Sequence, residues 1–168
     1  MRRTLLILLS LFFSIAVFPA DFVNRFIEKY GESERPLDNV NIGKTMLERM
    51  ADNTSDEELK NAFKELNSIR VVSSSDTEDS RYYFEKAHEL VKDMFTEYEE
   101  VVSVNESMSK LSVFMKKESN EKQDLILITL DNGGKFSLIT VSGKIDFNSI
   151  SKLSGSLKNE AGITGGGI

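Results

Sequence analysis

The chain has 168 residues, a net charge of −6, one His and no Cys. That acidity excludes nucleic acid, whose phosphates demand a basic surface, and equally an anionic lipid surface as the main partner. The missing thiols exclude disulfides, a lipidated Cys and thiolate metal sites.

Met1-Arg2-Arg3 precedes an apolar run from Leu5 to Phe18, broken only by Ser10 and Ser14. Cations ahead of a short greasy stretch are the order that a secretion channel recognises. About 15 apolar positions are too few for a membrane span, which needs roughly 20. Residues 1–20 are therefore expected to be a signal peptide, cleaved after Ala16 or Ala20, and the mature chain to carry no membrane span. Cleavage takes away Arg2 and Arg3, so a net charge of −6 becomes −8. The remaining length suits one domain with a sizeable core.

From Asp21 to Tyr30, Phe22, Val23, Phe26, Ile27 and Tyr30 fall on one helical stripe that Gly31 can end. Residues 31–37 are polar and contain Pro36, so they read as a loop. Val40 and Ile42 alternate with Asn39 and Asn41 as a short strand, and Thr45 to Ala51 is a short helix with Met46, Leu47 and Met50 inward. Ser55 with Glu58 forms a capping box for a helix that buries Leu59, Ala62, Phe63 and Leu66. Ile69 to Val72 is a strand. Ser75 with Glu78 is a second capping box, opening the longest helix, to about Thr96, on Tyr83, Ala87, Leu90 and Met94.

After Glu97 the period changes from 3.6 to 2 and four strands follow. They are built on Val102 and Val104, on Leu111, Val113 and Met115, on the run Leu125 to Ile128, and on Phe136 to Val141. The unbroken run at Leu125 suggests a strand covered on both faces. Asp131-Asn132-Gly133-Gly134 is a tight-hairpin signal. Asp146 or Asn148 caps a final helix with Ile150, Leu153 and Leu157. The order predicts an α+β fold: a C-terminal four-strand antiparallel meander plus one or two N-terminal strands, with helices mainly on one face. The strand 69–72, the helix 76–96 and the strand 98–104 could form a right-handed crossover. Residues 21–160 are expected to be one domain and 161–168 a flexible Gly-rich tail.

Four phrases carry a family resemblance: Phe26-Ile27-Glu28-Lys29-Tyr30; Val40-Asn41-Ile42-Gly43-Lys44 with Met46; Leu66-Asn67-Ser68-Ile69-Arg70-Val71; and Leu138-Ile139-Thr140-Val141-Ser142-Gly143-Lys144-Ile145-Asp146. The chain resembles a family of small exported Bacteroidetes proteins known as a domain of unknown function (number forty-two fifty-two). The resemblance implies a Gram-negative periplasmic or extracellular setting and a link to envelope signalling beside sigma-factor systems. The family has no established activity, so the resemblance transfers no site residue.

The candidate chemistry in the residues is thin. Gly43-Lys44-Thr45 sits between a strand and a helix, as a phosphate loop would, but Asp38 stands where that pattern needs its first Gly. Ser107 with Lys110, and Ser149 with Lys152, match the Ser-x-x-Lys of penicillin-recognising enzymes without either companion motif. His88 lies between Glu85 and Lys92 on its helix and could pair with Glu85. Glu97, Glu99 and Glu100 form an acidic patch, and Tyr82 is the aromatic most exposed to a partner. Asn53-Thr54-Ser55 and Asn105-Glu106-Ser107 match glycosylation triplets, which carry little weight in the bacterial protein that the resemblance implies.

No catalytic, cofactor or metal residue is assigned. The leading expectation is a non-catalytic envelope or secreted module that binds a protein or small ligand. The alternatives are an enzyme whose site no linear motif shows, and a structural or chaperone-like protein that pairs a sheet edge, near 98–105 or 135–142, with another chain. A deep pocket with two or more carboxylates, or His88 within hydrogen-bond reach of a Ser or Asp, would favour the enzyme.

Overall fold

The computed structural model describes residues 19–145, apart from 33, 108 and 117–122. Residues 1–18 of the expected signal peptide, the expected final helix and the tail lie outside the described residues. The elements are α1 (Pro19–Tyr30), β1 (Asp38–Gly43), α2 (Lys44–Asn53), α3 (Glu57–Glu65), β2 (Leu66–Ser74), α4 (Thr77–Met94), β3 (Tyr98–Asn105), β4 (Lys110–Lys116), β5 (Gln123–Leu130) and β6 (Phe136–Gly143). This is the expected α+β order.

The six strands form one sheet in the order β1-β2-β6-β5-β4-β3, and each neighbouring pair is antiparallel. β3 to β6 make the meander, and β6 then docks against β2, which joins the two halves of the chain. Four successive antiparallel pairings leave β2 and β3 pointing the same way. They are not neighbours, however: the connection through α4 crosses the whole width of β6, β5 and β4. The edges are β1 and β3. The stretch 135–142, one of the two edge candidates, is instead the interior strand β6.

Alternation on the strands sorts two cores onto opposite faces. On one face, Val72, Phe114, Ile126, Ile128, Phe136 and Leu138 meet Phe22 and Phe26 of α1 and Tyr83, Ala87 and Leu90 of α4. On the other, Ile69, Val71, Val113, Leu125 and Val141 meet Leu47 and Ala51 of α2 and Phe63 of α3. The two longest helices thus share one face, and the shorter α2 and α3 pack together over the other, against β1 and β2. β5 explains its own sequence: Leu125 faces one core and Ile126 and Ile128 the other, so the run is apolar throughout. Each fully buried large side chain of this kind stabilises the fold by about 1.5–3 kcal/mol.

Local signals fix the helix ends, one residue later than the capping boxes predict. Asp56 and Asp76, and not Ser55 and Ser75, are the N-caps; each carboxylate accepts the backbone N–H groups two and three residues on. A carboxylate there also meets the positive end of the helix dipole, which a hydroxyl cannot match. Met94, placed inward by its spacing, is 47% exposed, because the helix ends there and Phe95 turns into the core in its place.

Two joints tie the layers together. Ser80 is wholly buried; its hydroxyl donates to the Ser74 carbonyl at 2.9 Å and accepts the Phe136 N–H at 3.1 Å, so one side chain links α4 to the ends of β2 and β6. Gly143 has φ +142, and a Cβ there would lie 2.6 Å from the Glu65 carbonyl oxygen and the Leu66 Cα. Only a glycine lets β6 end this close to the α3–β2 junction.

Candidate functional site

α4 presents its outer stripe, Thr77, Arg81, Phe84 and Glu85, toward the tips of two hairpins. Between them lies an open cleft of about 570 Å³, within the size range of small-molecule sites. One wall is the β3–β4 turn with Glu106, Ser107 and Lys110; the other is the β5–β6 turn, Asp131 to Gly134.

The second turn is braced by its own first side chain. The Asp131 carboxylate accepts the Gly133 N–H at 2.9 Å and the Lys135 N–H at 2.8 Å, and Gly134 alone takes positive φ, +74. The Asn-Gly-Gly signal thus makes a hairpin as expected, with one left-handed residue. Gly134 also abuts Thr77, which fixes the turn against the first turn of α4.

The charges in the cleft divide into used and unused. Asp131 is held by its own turn, and Glu106 accepts the Ser109 hydroxyl at 3.3 Å. Lys110 sits 5.7 Å from the centre of the Phe84 ring. Among the described residues neither Arg81 nor Lys110 makes an ion pair. The cleft therefore offers two cationic ends with free donors, one apolar wall at Phe84, and Glu85 as an unpaired acid.

His88 lies one turn deeper on α4. Its Nε2 is 2.9 Å from the Ser112 hydroxyl oxygen, and its Nδ1 is 2.9 Å from the Phe84 carbonyl oxygen. A carbonyl only accepts, so Nδ1 carries the proton and the Nε2 lone pair faces the hydroxyl. Glu85, the partner the spacing suggested, is not involved. The Ser–His contact resembles the first half of a nucleophilic dyad, and strand register was the only signal that could have placed Ser112 there. Its surroundings differ from a catalytic centre. Ser112 sits mid-strand, paired with Ser103 and Ile128 on either side, and is 6% exposed beneath α4. A carbonyl stands where a carboxylate would orient the base.

The remaining sequence candidates disperse. Lys44 does not project into a phosphate loop; its ammonium donates to the Lys64 and Leu66 carbonyl oxygens and closes the end of α3. Ser107 and Lys110 both line the cleft, while Ser149 and Lys152 lie outside the described residues. Tyr82 is half-buried: the Arg35 guanidinium stacks 4.3 Å from its ring centre, and Arg35 also pairs with Asp79 at 3.1 Å. Glu99 and Glu100 are exposed on β3, and no group of three metal-ligating side chains occurs among the described residues. No helix among them is long and apolar enough to cross a membrane.

The family described as Domain of unknown function (DUF4252) matches residues 30–153. No curated protein and no solved structure matches the chain.

Proposed function

The chain belongs to the domain-of-unknown-function family DUF4252, and on that premise we propose that it is a non-catalytic binding module of a Gram-negative envelope, exported by its first twenty residues. The cleft between α4 and the two hairpin turns takes a small anionic ligand. One observation carries this reading: Arg81 and Lys110 converge on a 570 Å³ cleft with no ion-pair partner among the described residues. Cations held beside an apolar wall are what a small carboxylate or phosphate group needs for charge-assisted hydrogen bonds.

The test is a thermal-shift and calorimetric screen of the mature domain against small carboxylates and phosphates. Binding that disappears in Arg81→Ala with Lys110→Ala, while the fold persists by circular dichroism, supports the reading. Saturable turnover of any screened compound, or binding that survives both substitutions, overturns it. Export is checked separately by fractionation and N-terminal sequencing, which should recover a chain that starts at Val17 or Asp21.

The enzyme reading has the His88–Ser112 contact in its favour; the cleft also holds three carboxylates, Glu85, Glu106 and Asp131, but it is open rather than deep. A serine-directed phosphonate that labels Ser112 in the native domain would establish it.

A further inference from the structure

The charges that line the cleft constrain its ligand beyond a single acidic group. Arg81 and Lys110 bring two positive charges, while Glu85, Glu106 and Asp131 bring three negative ones, so the lining carries a net charge of −1. Over the few ångströms of such a cleft salt screens these charges only in part, since the Debye length is about 8 Å at physiological salt. A ligand that carries only an acid gains from the two cations and is repelled by the three carboxylates.

Not all five charges are equally open to a ligand. The Asp131 carboxylate accepts two N–H groups of its own turn, and Glu106 accepts the Ser109 hydroxyl. The Gly133 and Gly134 N–H groups are also taken, by the Asp131 carboxylate and carbonyl, so the turn offers no pair of amides to an anion. Glu85 differs. It is exposed on α4, and among the described residues it makes neither a hydrogen bond nor an ion pair. One turn back stands Arg81, at the spacing where opposite charges on a helix can pair. Their order, cation before acid, is the weaker one, and the two stay apart. The helix thus holds an open cation and an open acid about 6 Å apart along its axis. Phe84 lies beside them, and the Lys110 ammonium comes from the hairpin wall to 5.7 Å from the Phe84 ring centre.

A cation and an acid set apart beside an apolar ring fit a ligand with the complementary pair of charges and an apolar body. We propose that the ligand is a zwitterion of the α-amino-acid class, with its carboxylate on Arg81 and Lys110, its ammonium on Glu85 and an apolar side chain against Phe84. This rests on the cleft being the binding site and adds the ligand's second charge. A zwitterion leaves the net charge of the site unchanged, whereas a bare acid makes it more negative, and a phosphate monoester more so still.

Calorimetry of the full chain against leucine and phenylalanine, each free, N-acetylated and amidated, separates the two charges. The free amino acids should bind at least about tenfold more tightly than either blocked form, the worth of one hydrogen bond to a charged group. Glu85→Gln, on an exposed helix face, should remove most of that advantage and leave the weaker binding of the N-acetylated acids in place. An N-acetylated form that binds as tightly as the free one, or an advantage that survives Glu85→Gln, overturns the zwitterion and leaves the anion site standing. So does a protein that binds other small carboxylates and neither amino acid. Amidated forms that bind as tightly as the free ones, or no binding of any carboxylate or phosphate, overturn both readings.

Discussion

The imidazole Nε2 of His88 stands 2.9 Å from the hydroxyl oxygen of Ser112, joining the middle of α4 to the middle of β4. Phe84 and Phe114 flank the ring, with centroids at 4.5 and 5.8 Å, so the bond lies in a largely apolar slot. Its worth is therefore measurable as stability. Ser112→Ala and His88→Leu should each lower the unfolding free energy by about 1–3 kcal/mol, since each leaves a polar partner short of its bond. The double variant should cost less than the sum of the two, and urea titration of the four proteins measures that coupling. Strict additivity would show that the contact contributes nothing.

Ser80 should be the more sensitive hydroxyl. Its single oxygen serves both the Ser74 carbonyl and the Phe136 N–H in a fully buried position. Ser80→Ala strands both groups and should cost about 2–3 kcal/mol, near the top of the range for unsatisfied buried polar groups. Amide exchange should quicken at Phe136 before the rest of β6. Protection equal to that of the parent at Phe136 would contradict the assignment.

At Gly143 the obstacle is backbone. Gly143→Ala places a methyl group against Glu65 and Leu66 and forces a side chain onto φ +142, so a loss of at least about 1–3 kcal/mol is expected. Gly133→Ala is the control, because its Cβ would meet only the Asp131 carboxylate, at 3.3 Å. The melting temperatures of the two variants should separate clearly.

The domain should also weaken in alkali through Tyr83. Burial is the main cause holding its phenol above the usual value near 10; a backbone hydrogen bond at Glu32 opposes that rise, and the Asp79 and Glu32 carboxylates add to it. The unfolded chain then releases this proton first. The contribution of Tyr83 to stability is thus complete below about pH 10 and falls as the pH climbs beyond it. Tyr83→Phe should show a shallower decline between pH 9 and 11. It should also be weaker than the parent at neutral pH, where the hydroxyl donates to the Arg35 carbonyl at 2.7 Å. An alkaline slope identical to the parent's would remove Tyr83 as its source.

The periodic elements were legible because burial on one or both faces writes itself into spacing. Tyr83, Ala87 and Leu90 recur at helical intervals, and Leu125 to Ile128 is apolar because two cores claim alternate residues. What spacing does not encode is which strands become neighbours. β6 reads like the last strand of a meander, and nothing local in Phe136 to Val141 says that β2, far back in the chain, will take its open edge. The site was less legible for the same reason. Arg81, Lys110 and Asp131 come from three separate elements, and Ser112 looks like an ordinary polar residue of a strand until α4 sets His88 above it. The capping error is of a different kind: Ser-Asp pairs at both helix starts offered two oxygens, and the charged one won.

The position of β6 has a consequence for synthesis. β2 leaves the ribosome long before β6, yet β6 is the piece that sits between β2 and β5 and joins them. Until that last strand emerges, β2 has only β1 to pair with, and the β3–β5 meander is a separate ribbon with one side bare. Long-range closure of this kind is slow. A nascent chain of this protein thus stays threadable until Phe136 to Gly143 has been made, and a stop codon between Leu130 and Phe136 yields two unjoined halves rather than a shortened domain.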